Sequence, residues 1–242
     1  MTFTLADFTN FTRCPALYEL THIHDVPMPP TTRQVLSRVV RDVVLQQLQH
    51  KVDKGVIPDH IEVRKLVTAS TDVHMGQDIA YTADEAARGQ RTAWEKVFTR
   101  SMALVQMWRS AVAPRIEPAA VLLPFVRQFG DVRVAGNVEI DEPNNIRVVR
   151  VRQRRPAADA AMHDLPLLLQ AGGRTVIIDY LIDAEPLVVD RQVVEHDEAK
   201  ALAVSERVRQ MARACEAKLF VPADPAYWRC QSCGVRVCCR YV

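Results

Sequence analysis

Apolar residues recur every three or four positions through the first half of the chain, then at alternate positions through much of the second. The first spacing predicts amphipathic helices, the second half-buried strands. Leu5, Phe8 and Phe11 share a face of a helix expected over 4–20, with Thr4 and Asp7 spaced as a capping box. Pro15 disfavours helical backbone before it, so Cys14 is expected to leave the helical path. A Pro-rich link, Val26-Pro-Met-Pro-Pro30, leads to Thr32 as a cap and a helix to about His50. Val35, Leu36, Val39, Val40 and Val43 form its inner face, with Arg38 and Arg41 outside. Residues 55–76 show only weak, mixed periodicity and suit short helices. A long helix over 83–112 is expected to bury Trp94, Val97, Phe98, Leu104, Val105 and Trp108.

From Ala119 the pattern shifts to short β-branched runs, predicting strands over 121–127, 132–140, 146–153, 175–182 and 187–194. Asp141-Glu-Pro-Asn-Asn145 supplies a turn. Residues 157–170 suit a short helix provided Pro166 falls in a first turn. A closing helix over 197–220 lines up Ala201, Val204, Val208, Met211, Cys215 and Leu219, which makes Cys215 an ordinary core thiol. The order predicts an α/β fold in one domain: a helical part over 1–118, a sheet core over 119–196, then a helix and Cys-rich segment over 197–242.

With 242 residues, 48% of them hydrophobic, the chain can bury a substantial core. A net charge of +2 excludes bulk basic character, so any affinity for nucleic acid must come from local arginine clusters. No apolar run is long enough to cross a bilayer, and the N-terminus lacks the pattern of a secretory leader. An intracellular, cytoplasmic protein with no membrane partner is expected. In that reducing setting the six cysteines read as ligands and core residues, not disulfides.

Cys230-Gln-Ser-Cys233 and the pair Cys238-Cys239 crowd one end. A C-x-x-C pair puts two thiolates on a tight turn, ready for one metal centre. Cys14 can join them only if the two ends of the chain meet, which would make the centre a clasp. An iron-sulfur cluster and a zinc knuckle completed by a histidine both suit thiolate ligands. Nearby, His22 and His24 read as polar surface or as zinc ligands, and Tyr227 and Trp228 as packing over the centre or as platforms that stack on a base.

Three segments together resemble iron-sulfur nucleases of the PD-(D/E)XK superfamily: Phe11-Thr-Arg-Cys14-Pro15-Ala-Leu-Tyr18, Gly136-x-x-Glu139, and Cys230-x2-Cys233-x5-Cys239. The chain looks most like RecB-like exonucleases of CRISPR adaptation and the nuclease domain of AddB-type recombination subunits. The resemblance implies a restriction-endonuclease-like mixed sheet flanked by helices. It also implies a four-iron four-sulfur cluster on Cys14, Cys230, Cys233 and Cys239, with Cys238 a substitute one position out of register.

The catalytic half of the resemblance is degraded. Where the family has a helix histidine, this chain has Arg41; where it has an acid after a glycine, Glu139. The next strand, Arg147-Val-Val-Arg150-Val-Arg152, places arginines where an acid and a lysine belong. The family's Gln-x3-Tyr helix corresponds to 162–167, which has neither residue. A lone carboxylate beside two guanidiniums is a poor magnesium or manganese site. Asp179 is the one tempting second acid, but Leu181 stands where that reading needs lysine.

Arg150, Arg152 and Arg154 share a face if the strand is extended. A solvated sheet face accounts for them simply. Under the resemblance they line the former catalytic cleft with Arg41, and guanidinium forks pair with phosphate. The expected function is therefore an inactive iron-sulfur nuclease fold that binds nucleic acid, DNA favoured, or serves in a larger nucleoprotein complex. The alternatives are an active metal-dependent DNA exonuclease displaced toward Glu139 and Asp179, and an assembly protein that keeps only the clasped scaffold.

Overall fold

A computed structural model describes residues 1–157 and 164–222, together with Cys230, Cys233, Cys238 and Cys239. The chain opens with a short strand, β1 (Thr2–Thr4), which runs straight into α1 (Leu5–Arg13). Thr4 and Asp7 cap that helix reciprocally, as their spacing predicts. Cys14 then breaks into extended backbone before Pro15, and α2 (Pro15–Tyr18) continues into one π-helical turn. The expected single helix is thus three short pieces pivoting on Cys14.

The next helix, α3 (Thr32–Lys54), is capped by Thr31, one residue earlier than expected, and stops at Gly55 with φ +76°. Its five predicted inward residues are all buried. Residues 55–76, which lack clear periodicity, hold a regular helix, α4 (His60–Met75), capped by Asp59. Its buried face includes Ser70 and Thr71 beside Val63, Val67 and Met75, and those small polar residues obscure the apolar stripe. The expected helix over 83–112 divides at Gly89 (φ +84°) into α5 (Ala83–Arg88) and α6 (Gln90–Ala111).

The strands follow closely: β2 (Ala120–Phe129), β3 (Val132–Asp141), β4 (Asn145–Arg152), β5 (Thr175–Ile182) and β6 (Val188–Val194). Between β4 and β5 lies α7 (Leu165–Ala171), with Pro166 in its first turn; the rest of the expected 157–170 helix falls largely outside the described residues. After β6 comes α8 (Glu198–Ala217). Val204, Val208 and Met211 are buried as predicted, but Ala201 is exposed and Leu219 is 61% exposed. Lys218 turns left-handed (φ +52°), which swings Leu219 out and buries Phe220 instead.

The six strands form one mixed, open sheet in the order β1-β3-β4-β5-β6, with β2 also paired to β3. β4 and β5 run parallel over eight registered pairs, and the remaining long pairings are antiparallel. Alternation sends Ile146, Val148, Ile178 and Tyr180 to one face, where they pack with α1, α7 and α8. Val149 and Leu181 point to the other face and meet α3, α4 and α6. Helices therefore cover both faces, in the restriction-endonuclease-like arrangement expected.

One edge of β3 governs the site. β2 occupies the opposite edge along its full length, so β1 and β4 must share what is left. β1 pairs at Arg133–Ala135 and β4 only at Ile140 and Asp141. Positions 136–139 lie in the gap. A Cβ on Gly136 would come within 2.7 Å of Leu5 Cβ, so glycine here admits the start of α1.

Candidate functional site

Glu139 stands at the end of that gap and is 5% exposed. One terminal nitrogen of Arg150 donates to both of its carboxylate oxygens, at 2.8 and 3.0 Å. Nε of Arg41 reaches the same carboxylate at 3.1 Å. Burial pushes the Glu139 carboxyl upward, but Arg150 and Arg41 outweigh it and hold it below the ordinary carboxylate range. Burial likewise works against the Arg150 charge, and Glu139 more than restores it. The trio carries one surplus positive charge.

Around this clamp the structure adds residues that the motif reading did not include. Asp42 lies 3.6 Å from Arg41 and holds His74 Nε2 at 2.7 Å. Across the β2–β3 hairpin the ladder skips the position that pairs Leu122 with Glu139. Leu122 adopts φ +53°, a left-handed conformation that costs a branched side chain about 1–3 kcal/mol. It helps line a recess of about 250 Å³ with Arg41, Gln46 and Gln49. On the Arg150 side, Asp164 and the buried Tyr180 lie within electrostatic reach of that guanidinium. Asp42 had a signal, adjacency to Arg41; the Leu122 conformation had none.

Arg147 belongs elsewhere. It points to the opposite face from Arg150, is 5% exposed, and bonds Glu142 at 2.5 Å and Asp179 at 2.7 Å. Asp179 is fully buried, and its second oxygen takes Nε of Arg191 at 2.7 Å. Two guanidiniums thus occupy the acid that a displaced metal site would require. Arg152 closes β4, exposed and in register with Ile182. Arg154 lies in a bend after the strand, so strand alternation does not set its direction; it too is exposed.

Near Cys14 the start of the chain packs against α8. Arg207 of α8 donates to the Phe11 carbonyl at 3.2 Å and stacks over the Phe11 ring. Phe220 packs against Tyr18, whose hydroxyl accepts a long bond from Cys215 at 3.9 Å. Cys215 is a half-buried core thiol, as expected. Burial lowers the pKa of the Arg207 guanidinium. The elements flanking Cys14 therefore meet the chain leaving α8, around a recess of about 450 Å³.

None of the six cysteines is joined in a disulfide, and Cys233 N–H turns back to the Cys230 carbonyl at 3.3 Å. Three thiols in C-x2-C-x5-C spacing, with Cys14 as a fourth, are chemically suited to a cluster. Among the described residues, however, no group of three or more His, Cys, Asp or Glu is gathered for a metal ion. Cys14, Cys230, Cys233 and Cys239 are thus not brought together here as a ligand set. Tyr227 and Trp228 lie outside the described residues.

No curated protein matches the sequence. Among solved structures, one from Eubacterium rectale described as a "Putative exonuclease" superposes with a TM-score of 0.51 at 6% identity, covering 96% of this chain and 88% of that one. At that identity the likeness speaks for the fold alone. The family model of the PD-(D/E)XK nuclease superfamily matches residues 2–240. With that match spanning almost the whole chain, over a mixed sheet whose strands open at Glu139, the protein belongs to the PD-(D/E)XK nuclease superfamily.

Proposed function

We propose that this chain is a catalytically silent nuclease fold of the RecB-like or AddB-like type, which holds nucleic acid, DNA in preference, without cutting it. The observation that carries this reading is the occupation of Glu139 by Arg150 and Arg41. A magnesium ion needs carboxylate oxygens, and the acid in the gap already accepts from two fixed cations. The exposed Arg152 and Arg154 at the end of β4 suit a phosphate backbone. A chain that binds without turnover fits a subunit of a larger DNA-processing complex.

The four cysteines would supply the ligands of a four-iron four-sulfur cluster, a structural centre tying the two ends of the domain; zinc is the alternative. Iron and sulfide analysis of anaerobically purified protein decides between them, and a colourless protein with stoichiometric zinc rejects the cluster.

The binding reading is tested with labelled single-stranded DNA in the presence of magnesium or manganese. Salt-sensitive binding with no cleavage is expected, weakened when Arg150 and Arg152 are both changed to Gln. Metal-dependent cleavage abolished by Glu139→Gln would reject it.

A further inference from the structure

A second recess, of about 350 Å³, opens beyond the carboxyl ends of the parallel strands β4 and β5. Gln153 and Asp183, the residues that follow those strands, both line it. Crevices at the carboxyl ends of parallel strands are where open α/β sheets commonly take small ligands, and the volume suits one of nucleoside size.

The charges of its wall divide into two kinds. Arg100 is committed to Asp183 at 2.6 Å, with Glu185 at 3.9 Å. Glu85 accepts from the Thr32 hydroxyl at 2.6 Å and also caps α5. The side chains of Arg33 and Lys96 have no hydrogen-bond or ion-pair partner among the described residues, although Lys96 acts on Glu85 through space. The recess therefore offers two uncommitted cations beside an apolar floor made by Leu36 and Val97. Gln153, also without a partner there, adds an amide donor and acceptor.

We propose that this recess binds a nucleoside phosphomonoester. Its phosphate, close to a dianion at neutral pH, matches the charges of Arg33 and Lys96. Its sugar and base lie along Leu36 and Val97, with the Gln153 amide at a polar edge. The chemistry is that of a free mononucleotide or of a phosphorylated strand end. No residue of the Glu139 clamp takes part, so this site stands or falls separately from the function proposed above.

The test is calorimetric titration of the full chain with adenosine 5′-monophosphate, beside adenosine and succinate. Binding of the nucleotide is expected, with adenosine much weaker. Arg33→Gln with Lys96→Gln should lower nucleotide affinity at least about tenfold. Both side chains are exposed, so the double variant should keep the wild-type thermal melt. Absence of nucleotide binding, an unchanged affinity in the double variant, or succinate binding as tightly as the nucleotide overturns the assignment. Competition with 5′-phosphorylated and 5′-hydroxyl oligonucleotides then identifies the source. Displacement by the phosphorylated strand alone confirms the phosphomonoester and assigns it to a strand end; displacement by neither confirms a free mononucleotide. Equal displacement by both rejects the phosphomonoester.

Discussion

Arg150 holds both oxygens of Glu139 through a single terminal nitrogen, while Arg41 approaches the same carboxylate from another element. The acid expected to bind a catalytic metal is thereby neutralised within the protein. Replacing Arg150 by Met leaves a buried carboxylate with one cation instead of two. Because Arg150 is partly exposed and Arg41 remains, the expected loss is about 2 kcal/mol, read from urea denaturation midpoints.

The clamp also has a pH signature. Although burial opposes it, the arginines bring the folded Glu139 value below its ordinary 4.5. A carboxyl lowered in the folded state contributes fully above its unfolded value and loses that contribution as pH falls through the folded one. Between about pH 6 and about pH 3, the wild type should therefore lose stability more steeply than Glu139→Gln. Parallel slopes in the two proteins would contradict the ion-pair account.

Binding to single-stranded nucleic acid should weaken with salt in proportion to the phosphates neutralised. Each contact contributes about 0.7 to the slope of log affinity against log salt. Arg152→Gln with Arg154→Gln should flatten that slope by about 1.4 if each residue holds one phosphate. Loss of affinity at unchanged slope would mean that these arginines act only on the fold.

Asp179 gives a contrasting expectation. It is fully buried between Arg147 and Arg191, so Asp179→Ala leaves the deeply buried Arg147 with Glu142 alone and releases Arg191. A loss of about 3–5 kcal/mol is expected in chemical denaturation. If that variant kept wild-type stability, the buried network would not be holding β4, β5 and β6 together.

Much of the fold was legible because its signals are local. The Thr4–Asp7 box, the inner face of α3 and the alternating runs of β2 to β6 sit where residue patterns place them. The continuity of α4 was not legible, since Ser70 and Thr71 occupy buried positions and break its stripe where only short helices were expected. β1 has only three residues, too few for a period, and its partnership with β3 is set by tertiary packing. At the site, the family spacing brought Glu139, Arg41 and Arg150 together correctly. Strand alternation also separated Arg150 from Arg147, which meet different carboxylates. Neither signal could foresee Leu122, whose left-handed backbone answers to the hairpin geometry beside Glu139. Gly136, read as part of a motif, has a sufficient packing reason in Leu5 and Phe125.

The guanidinium clamp amounts to a counterion built into the polypeptide. A bound metal can be chelated, exchanged or outcompeted, and its occupancy follows the composition of the surrounding solution. Arg41 and Arg150 are tethered by peptide bonds and stay protonated throughout the physiological pH range. The charge they place in the cleft is thus indifferent to divalent-ion supply and to chelators. Such a surface trades turnover for constancy.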